Sequence, residues 1–334
     1  MVGRRGLVLG AAGGALLARG GPRGAHAQGQ PSAPPPASWP DHPLRWVVGY
    51  PAGGPSDTFA RLIAGQIGPR LGHNMVVDNR PGGGAVLASE TVARAPADGY
   101  TLLHSDNGNL VYNPALYARL PYDPDRDLTG AGFIGRFPLF LVVRPEGVSD
   151  FKAYVALSRQ RAPNYGTPAV ASPHHLAMEM LKRRAGFEAT HIPYRGGPAA
   201  MQDLLAGTLD SVLIDCATGI PFIREGKVRA LVVLSERRSA RAPAVPTARE
   251  LGIAEAVAFG WQAMHAPAGT PSAILERLNQ EVRAAVASDA MQERMRALGI
   301  ESAAWSPGEL NSFVAAESRL WRPLIRELGI RLDS

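Results

Sequence analysis

Between residues 44 and 104 the chain repeats one pattern: a short apolar run, a glycine-rich turn, then apolar residues spaced three and four apart. Residues 44–48 read as a buried strand, and Phe59, Leu62, Ile63, Gln66 and Ile67 fall on one face of a helix predicted over 57–71. Gly72 is a plausible stop for it. A second strand at 75–78, a turn at 79–84 rich in glycine and a helix at 85–95 follow. The Pro-Ala-Asp-Gly turn at 96–99 leads into a third strand at 100–104. Strands that alternate with helices in this way build a parallel sheet with helices on both faces, so the fold class is α/β.

The first turn joins Gly53 and Gly54 to Ser56, Asp57 and Thr58. Glycine lets the backbone turn sharply and approach a ligand closely, and the three polar residues are helix N-cap formers. Free N–H groups at a helix start, on the positive end of its dipole, receive a carboxylate or phosphate. The same segment also serves as a plain strand-to-helix turn without a ligand.

A loop-rich portion follows, with Tyr112-Asn113-Pro114 and Leu120-Pro121-Tyr122-Asp123-Pro124, before a strong strand at 139–143. A second α/β set then runs to about 257, with strands near 164–166, 191–193, 212–214 and 230–234. Its helices are expected at 150–161, 173–185, 198–206 and 219–225. The apolar run 259–266 leads into helices at 274–286, 290–297, 307–316 and 318–328. The runs 139–143 and 259–266 frame the second set, which implies two lobes joined by two crossing strands. Lobe one is expected over 41–140 plus 262–334, and lobe two over 141–261.

Composition matters for export. The chain's +6 charge is concentrated at its start, where residues 1–27 hold four arginines and no acid, leaving 31 basic against 29 acidic residues. That tail gives no support to nucleic-acid binding. Arg4-Arg5, an apolar stretch at 7–17 and Ala25-His26-Ala27 read as a signal peptide over 1–27, through either the general or the twin-arginine route. A Pro-rich spacer at 28–40 follows, and no later run is long enough to span a bilayer. Cys216, the single cysteine, lies in an apolar run and reads as a buried, inert thiol.

Most chemistry is excluded by missing residues. Gly82-Gly83-Gly84-Ala85-Val86-Leu87 lacks the third glycine of a dinucleotide fingerprint, and neither glycine-rich turn carries the lysine of a phosphate loop. There is no G-x-S-x-G pentapeptide, and His104-Ser105-Asp106 are neighbours only in sequence. His174, His175 and His191 lack metal-ligand spacing and read as capping or core residues. No cofactor or metal is implied. What remains is five polar or glycine-rich turns at strand C-termini: 53–58, 82–84, 105–109, 166–172 and 194–197. Ligands of open α/β sheets bind at such ends, so two facing lobes make a clamshell for a small polar ligand.

Blocks in this order resemble the Bug-type extracytoplasmic receptors of tripartite tricarboxylate transporters. They include Tyr50-Pro51-Ala52-Gly53-Gly54-Pro55-Ser56-Asp57, Val77-Asp78-Asn79-Arg80-Pro81-Gly82-Gly83-Gly84 and Ala95-Pro96-Ala97-Asp98-Gly99-Tyr100. Asn113-Pro114-Ala115-Leu116-Tyr117, His191-Ile192-Pro193-Tyr194-Arg195-Gly196 and Ala266-Pro267-Ala268-Gly269-Thr270-Pro271 continue the match, which covers about 44–330. The resemblance implies a type II periplasmic-binding-protein architecture of Venus-flytrap form, in a periplasmic, monomeric protein that is not an enzyme. It would close on a small organic acid or amino acid and deliver it to the membrane subunits of a tripartite tricarboxylate-type transporter.

By the same resemblance Gly53, Gly54, Ser56 and Asp57 form the first carboxylate loop. Ser105 and Asn107 follow the third strand, Thr167 and Ser172 belong to the second lobe, and Tyr194 and Asp215 border the cleft. Arg80 and Arg195 are read as surface or sheet-edge residues. The chain departs from the family at Ala169 and Ala171, where relatives carry glycine, at His104, where they are apolar, and at Asp106, an added acid. Two other functions stay open: a secreted α/β enzyme acting on a small acid, and a receptor that presents its ligand to a membrane sensor.

Overall fold

The computed structural model describes residues 39–332. The expected signal peptide and all but the last two residues of the expected spacer lie outside the described residues. The opening pattern folds as β1 (Leu44–Val48), α1 (Pro55–Leu71), β2 (Met75–Asn79), α2 (Val86–Ala93) and β3 (Thr101–Asp106). β1 pairs in parallel with both β2 and β3. A π-helical turn at Asn107–Tyr112 leads to the short helices α3 (Asn113–Leu116) and α4 (Pro124–Asp127), where the sequence reads as loop.

β4 (Leu128–Val143) is the organising strand, and it is three times longer than the expected 139–143. Its first part, 128–138, pairs antiparallel with β9 (Phe259–Pro267), which pairs antiparallel with β3. Gly130, Gly132 and Gly135 make this segment look like a loop. They are small because α9 (Ser272–Ala287), α10 (Asp289–Leu298) and α11 (Pro307–Leu328) press on the strand. A Cβ on Gly132 would come 2.8 Å from the Val282 side chain, and one on Gly135 would come 2.6 Å from Ile300. The ladder with β9 shifts register at 130/132 and 133/135, as a strand does where an extra residue is bulged out.

The second part of β4 enters another sheet. Residues 139–143 pair antiparallel with β7 (Ser211–Asp215) and with β8 (Arg229–Val233). β5 (Asn164–Thr167) joins in parallel with β7 and with β6 (Thr190–Pro193). Around this sheet lie α5 (Phe151–Ser158), α6 (Pro173–Ala185), α7 (Gly197–Ala206) and α8 (Cys216–Arg224). The chain returns beside β4: Ala258 N–H donates to the Leu234 carbonyl and Leu234 N–H to that of Leu139. The two sheets, joined through crossing segments, give the expected two-lobed α/β architecture.

Two local readings change. α1 starts at Pro55 with Gly54 as its N-cap and no side-chain cap, so Ser56, Asp57 and Thr58 do not cap it. The expected helices 307–316 and 318–328 are one helix, α11, opened by a capping box between Ser306 and Glu309. Its Trp321 and Ile325 share a buried cluster with Leu176 of α6, Leu141 of β4 and Leu103 of β3, so one apolar core runs past both sheets.

Candidate functional site

Strand direction brings the candidate turns to one region of the fold. β3 runs parallel to β4 by way of β9 and ends with Asp106 opposite Gln262, which pairs with Gly135. β7 runs the other way and ends with Asp215 opposite Leu139. The C-terminal ends of the two parallel strand sets therefore face each other across residues 135–139, about 13 Å of strand. The five turns singled out in the sequence follow β1, β2 and β3 on one side of this mouth, and β5 and β6 on the other.

The turn after β1 is held by charge. Asp57, buried, accepts from Gly53 N–H at 2.8 Å and pairs with Arg61, whose Nη2 donates to Asn79 Oδ1 at 2.8 Å. Asn79 Nδ2 in turn donates to the Tyr50 carbonyl. The Arg61 hydrogen bond holds the Asp57 carboxyl down to about 2, against the opposing effect of burial. Gly53 has φ +81°, a left-handed conformation that suits glycine. With Pro55 at the first helical position, the N–H groups of Ser56 and Asp57 start α1 without a side-chain cap.

The turn after β5 is held by neutral groups. Thr167 Oγ1 and Ser172 Oγ both donate to the Ala169 carbonyl, at 3.1 and 2.8 Å. Ser172 also caps α6 by accepting from His175 N–H. Ala171 adopts φ +55°, a left-handed conformation that a residue with a Cβ disfavours. Among the described residues no hydrogen bond takes up the N–H groups of Ala169 or Val170, and Val170 is 43% exposed.

Of the other expected site residues, Ser105 and Asn107 are buried, whereas Tyr194 and Asp215 are partly exposed. Ser105 is fully buried, donates to the Ala263 carbonyl at 2.9 Å and lies 2.7 Å from His265 Nδ1. This Ser–His pair has no accessible nucleophile, and burial depresses His265 to about 3. Asn107 clamps β9, its Oδ1 accepting from Trp261 N–H and its Nδ2 donating to the Phe259 carbonyl. Tyr194 O–H donates to Asp203 at 2.6 Å. Asp215 caps α8 through Thr218 N–H, with His174 Nε2 3.6 Å from its carboxylate.

The charged groups that could repel or clamp a ligand are largely neutralised. Arg80 donates to Asp78 at 3.0 Å. Asp106 caps the π-helical turn through Asn109 N–H, and burial raises its carboxyl above the ordinary range. His104, fully buried against Trp46, is depressed to about 4 by burial. Burial pushes the Cys216 thiol up to about 12. His174, His175 and His191 do not converge: His175 stacks on His191 at 3.7 Å, and His174 stands by Asp215. The sequence missed this stack because nothing in linear spacing marks two rings sixteen positions apart as partners.

Comparison with known proteins agrees with this geometry. Residues 59–330 match a family model described as tripartite tricarboxylate transporter family receptor. Protein BugT of Bordetella pertussis is 35% identical over 299 residues, covering 88% of this chain and 92% of that protein. The structure of Rpa4515 of R. palustris with adipate is 32% identical, with a TM-score of 0.76, over 89% of this chain and 100% of that one. MatC from Rhodopseudomonas palustris, with bound malate, is 30% identical with a TM-score of 0.73, over 86% and 100%.

Proposed function

Because this chain belongs to the tripartite tricarboxylate transporter receptor family, and is thus a Bug-type solute-binding receptor, we propose that it traps a small organic acid between its two turns and delivers it to a transporter of that type. The observation that carries the trap is the placement of two helix starts, α1 and α6, at the C-terminal ends of β1 and β5 on opposite sheets. Around them the hydroxyls of Thr167 and Ser172 and the carboxylate of Asp57 are spent on the loops themselves. Backbone N–H groups are left to meet the ligand, and such dipoles favour a carboxylate.

On this reading Gly53, Gly54, Ser56 and Asp57 shape the first half of the trap, and Thr167 and Ser172 the second. Asp57, Thr167 and Ser172 act by holding their loops. Ser105 and Asn107 fix β3 to β9 beneath the mouth, and Tyr194 and Asp215 form its border. The Asp106 carboxylate is engaged as a cap, accepting from Asn109 N–H in the turn after β3. Adipate and malate, bound by the two relatives, define the first class to try. The family is periplasmic, and export to that compartment through the signal at 1–27 belongs to the same proposal.

Calorimetry and thermal melting with malate, adipate, succinate, citrate and aspartate test it. A ligand that binds only the folded chain stabilises it by about 2.7 kcal/mol at a hundred times its Kd. Binding of at least one acid without its conversion is the expected result. Silence across the panel, or turnover of any member, overturns the reading. Delivery is tested separately, by uptake of the bound acid in cells with and without the receptor.

A further inference from the structure

We propose that His175 and His191 are positioning residues for the loop 167–172, fixing both of its ends to one stacked pair of imidazoles. The inference rests on the reading of that loop as half of the ligand trap. Ala171 holds a left-handed conformation that a residue with a Cβ disfavours, so the loop needs an outside hold to keep this shape. It has one at each end. Ala171 N–H donates to His175 Nδ1 at 3.0 Å, and Thr167 Oγ1 lies 2.7 Å from His191 Nε2. The two rings lie 3.7 Å apart and 10° from parallel. Two ends of one loop are thus tied to a single rigid unit built from α6 and β6.

The hold at Ala171 works only while the His175 ring is uncharged. A proton on His175 Nδ1 would face the Ala171 N–H that it now accepts, and two stacked cations would repel. The charged and titratable groups around the pair are Glu179, Lys182 and Tyr165. Tyr165 O–H donates to Glu179, Lys182 pairs with Glu179, and the Tyr165 ring lies 5.1 Å from His191. Burial, with Lys182 nearby, depresses His175 to about 4 and His191 to about 3, so the hold is complete at neutral pH.

The test uses the full chain and the acid of the five-member panel that the wild type binds most tightly. His175→Leu removes the acceptor, whereas His175→Asn places an amide oxygen where Nδ1 stood. His175→Leu is expected to weaken binding at least about tenfold, and His175→Asn to recover affinity to within about threefold of wild type. Hydrogen exchange should quicken at 167–172 in His175→Leu and return to the wild-type rate in His175→Asn. Should His175→Leu fail to fold, His191→Leu against His191→Gln carries the same comparison at the other end. Unchanged affinity in the leucine variants, or equal losses in both members of a pair, overturns the proposal. A wild type that binds no acid refutes the trap itself instead, so the two failures are distinguishable.

Discussion

The turns after β1 and β5 occupy matching places on opposite sheets and keep their shape by opposite means. The first uses a glycine for its left-handed residue and an ionised carboxylate, Asp57, to fasten Gly53 and Arg61. The second uses an alanine for its left-handed residue and two uncharged imidazoles to hold its ends. One turn is flexible by composition and fastened by charge. The other is stiff by composition and fastened by packing. Where the left-handed residue bears a Cβ, a rigid neighbour holds the turn, and that neighbour has its own dependence on protons.

Acid separates the two most strongly. A histidine depressed from 6.5 contributes stability that is complete above 6.5 and is withdrawn as pH falls through its folded value. For His175 and His191 that window runs from 6.5 down to about 4 and 3, and His104 and His265 add to it. Asp57, depressed from 3.8 to about 2, loses its contribution only below 3.8. Urea unfolding should therefore show stability falling as pH drops from 6.5 to 4, at a slope of no more than about 1.4 kcal/mol per unit for each fully buried ring and less for the part-exposed His191. A His175→Asn, His191→Gln double variant should flatten part of that slope. A flat wild-type profile from 6.5 to 5 would break the comparison.

Asp57→Ala is next in size. It strands Gly53 N–H and Arg61, and we expect a loss of about 2 kcal/mol, reduced from a fully buried pair because Arg61 is half exposed. Affinity for the acid should fall with it, and an unchanged urea midpoint would remove Asp57 as the fastener. Gly53→Ala meets no neighbour within 4 Å, so only backbone strain opposes it, about 1 kcal/mol. Ala171→Gly should change stability by less than about 0.5 kcal/mol, because relief of strain is balanced by a looser unfolded chain. If Ala171→Gly proves as costly as Gly53→Ala, the alanine is not strained and the contrast fails.

The parts of the fold carried by local periodicity were legible in the sequence. β1, α6 and the alternation of strands and helices in both sheets follow from apolar spacing and turn residues alone. The first half of β4 was not legible, because Gly130, Gly132 and Gly135 read as loop until the helices that demand them are in place. The site shows the same division. Gly53 and the loop 167–172 could be found from turn chemistry at strand ends. That Ser105 and Asn107 would be consumed by β9, more than 150 residues away, depends on which strands meet. Family likeness supplies candidate positions, while the direction of each side chain is a tertiary fact.

Sharing β4 between the sheets has a consequence for taking the molecule apart. A fragment covering 144–258 would carry β5 to β8 but lose the strand that β7 and β8 both pair with. The complementary piece, cut at the same points, would keep all of β4 but leave both edges of its residues 139–143 bare. No proteolytic nick or gene truncation between the sheets yields two finished halves. Through β4 the two sheets are one structural unit.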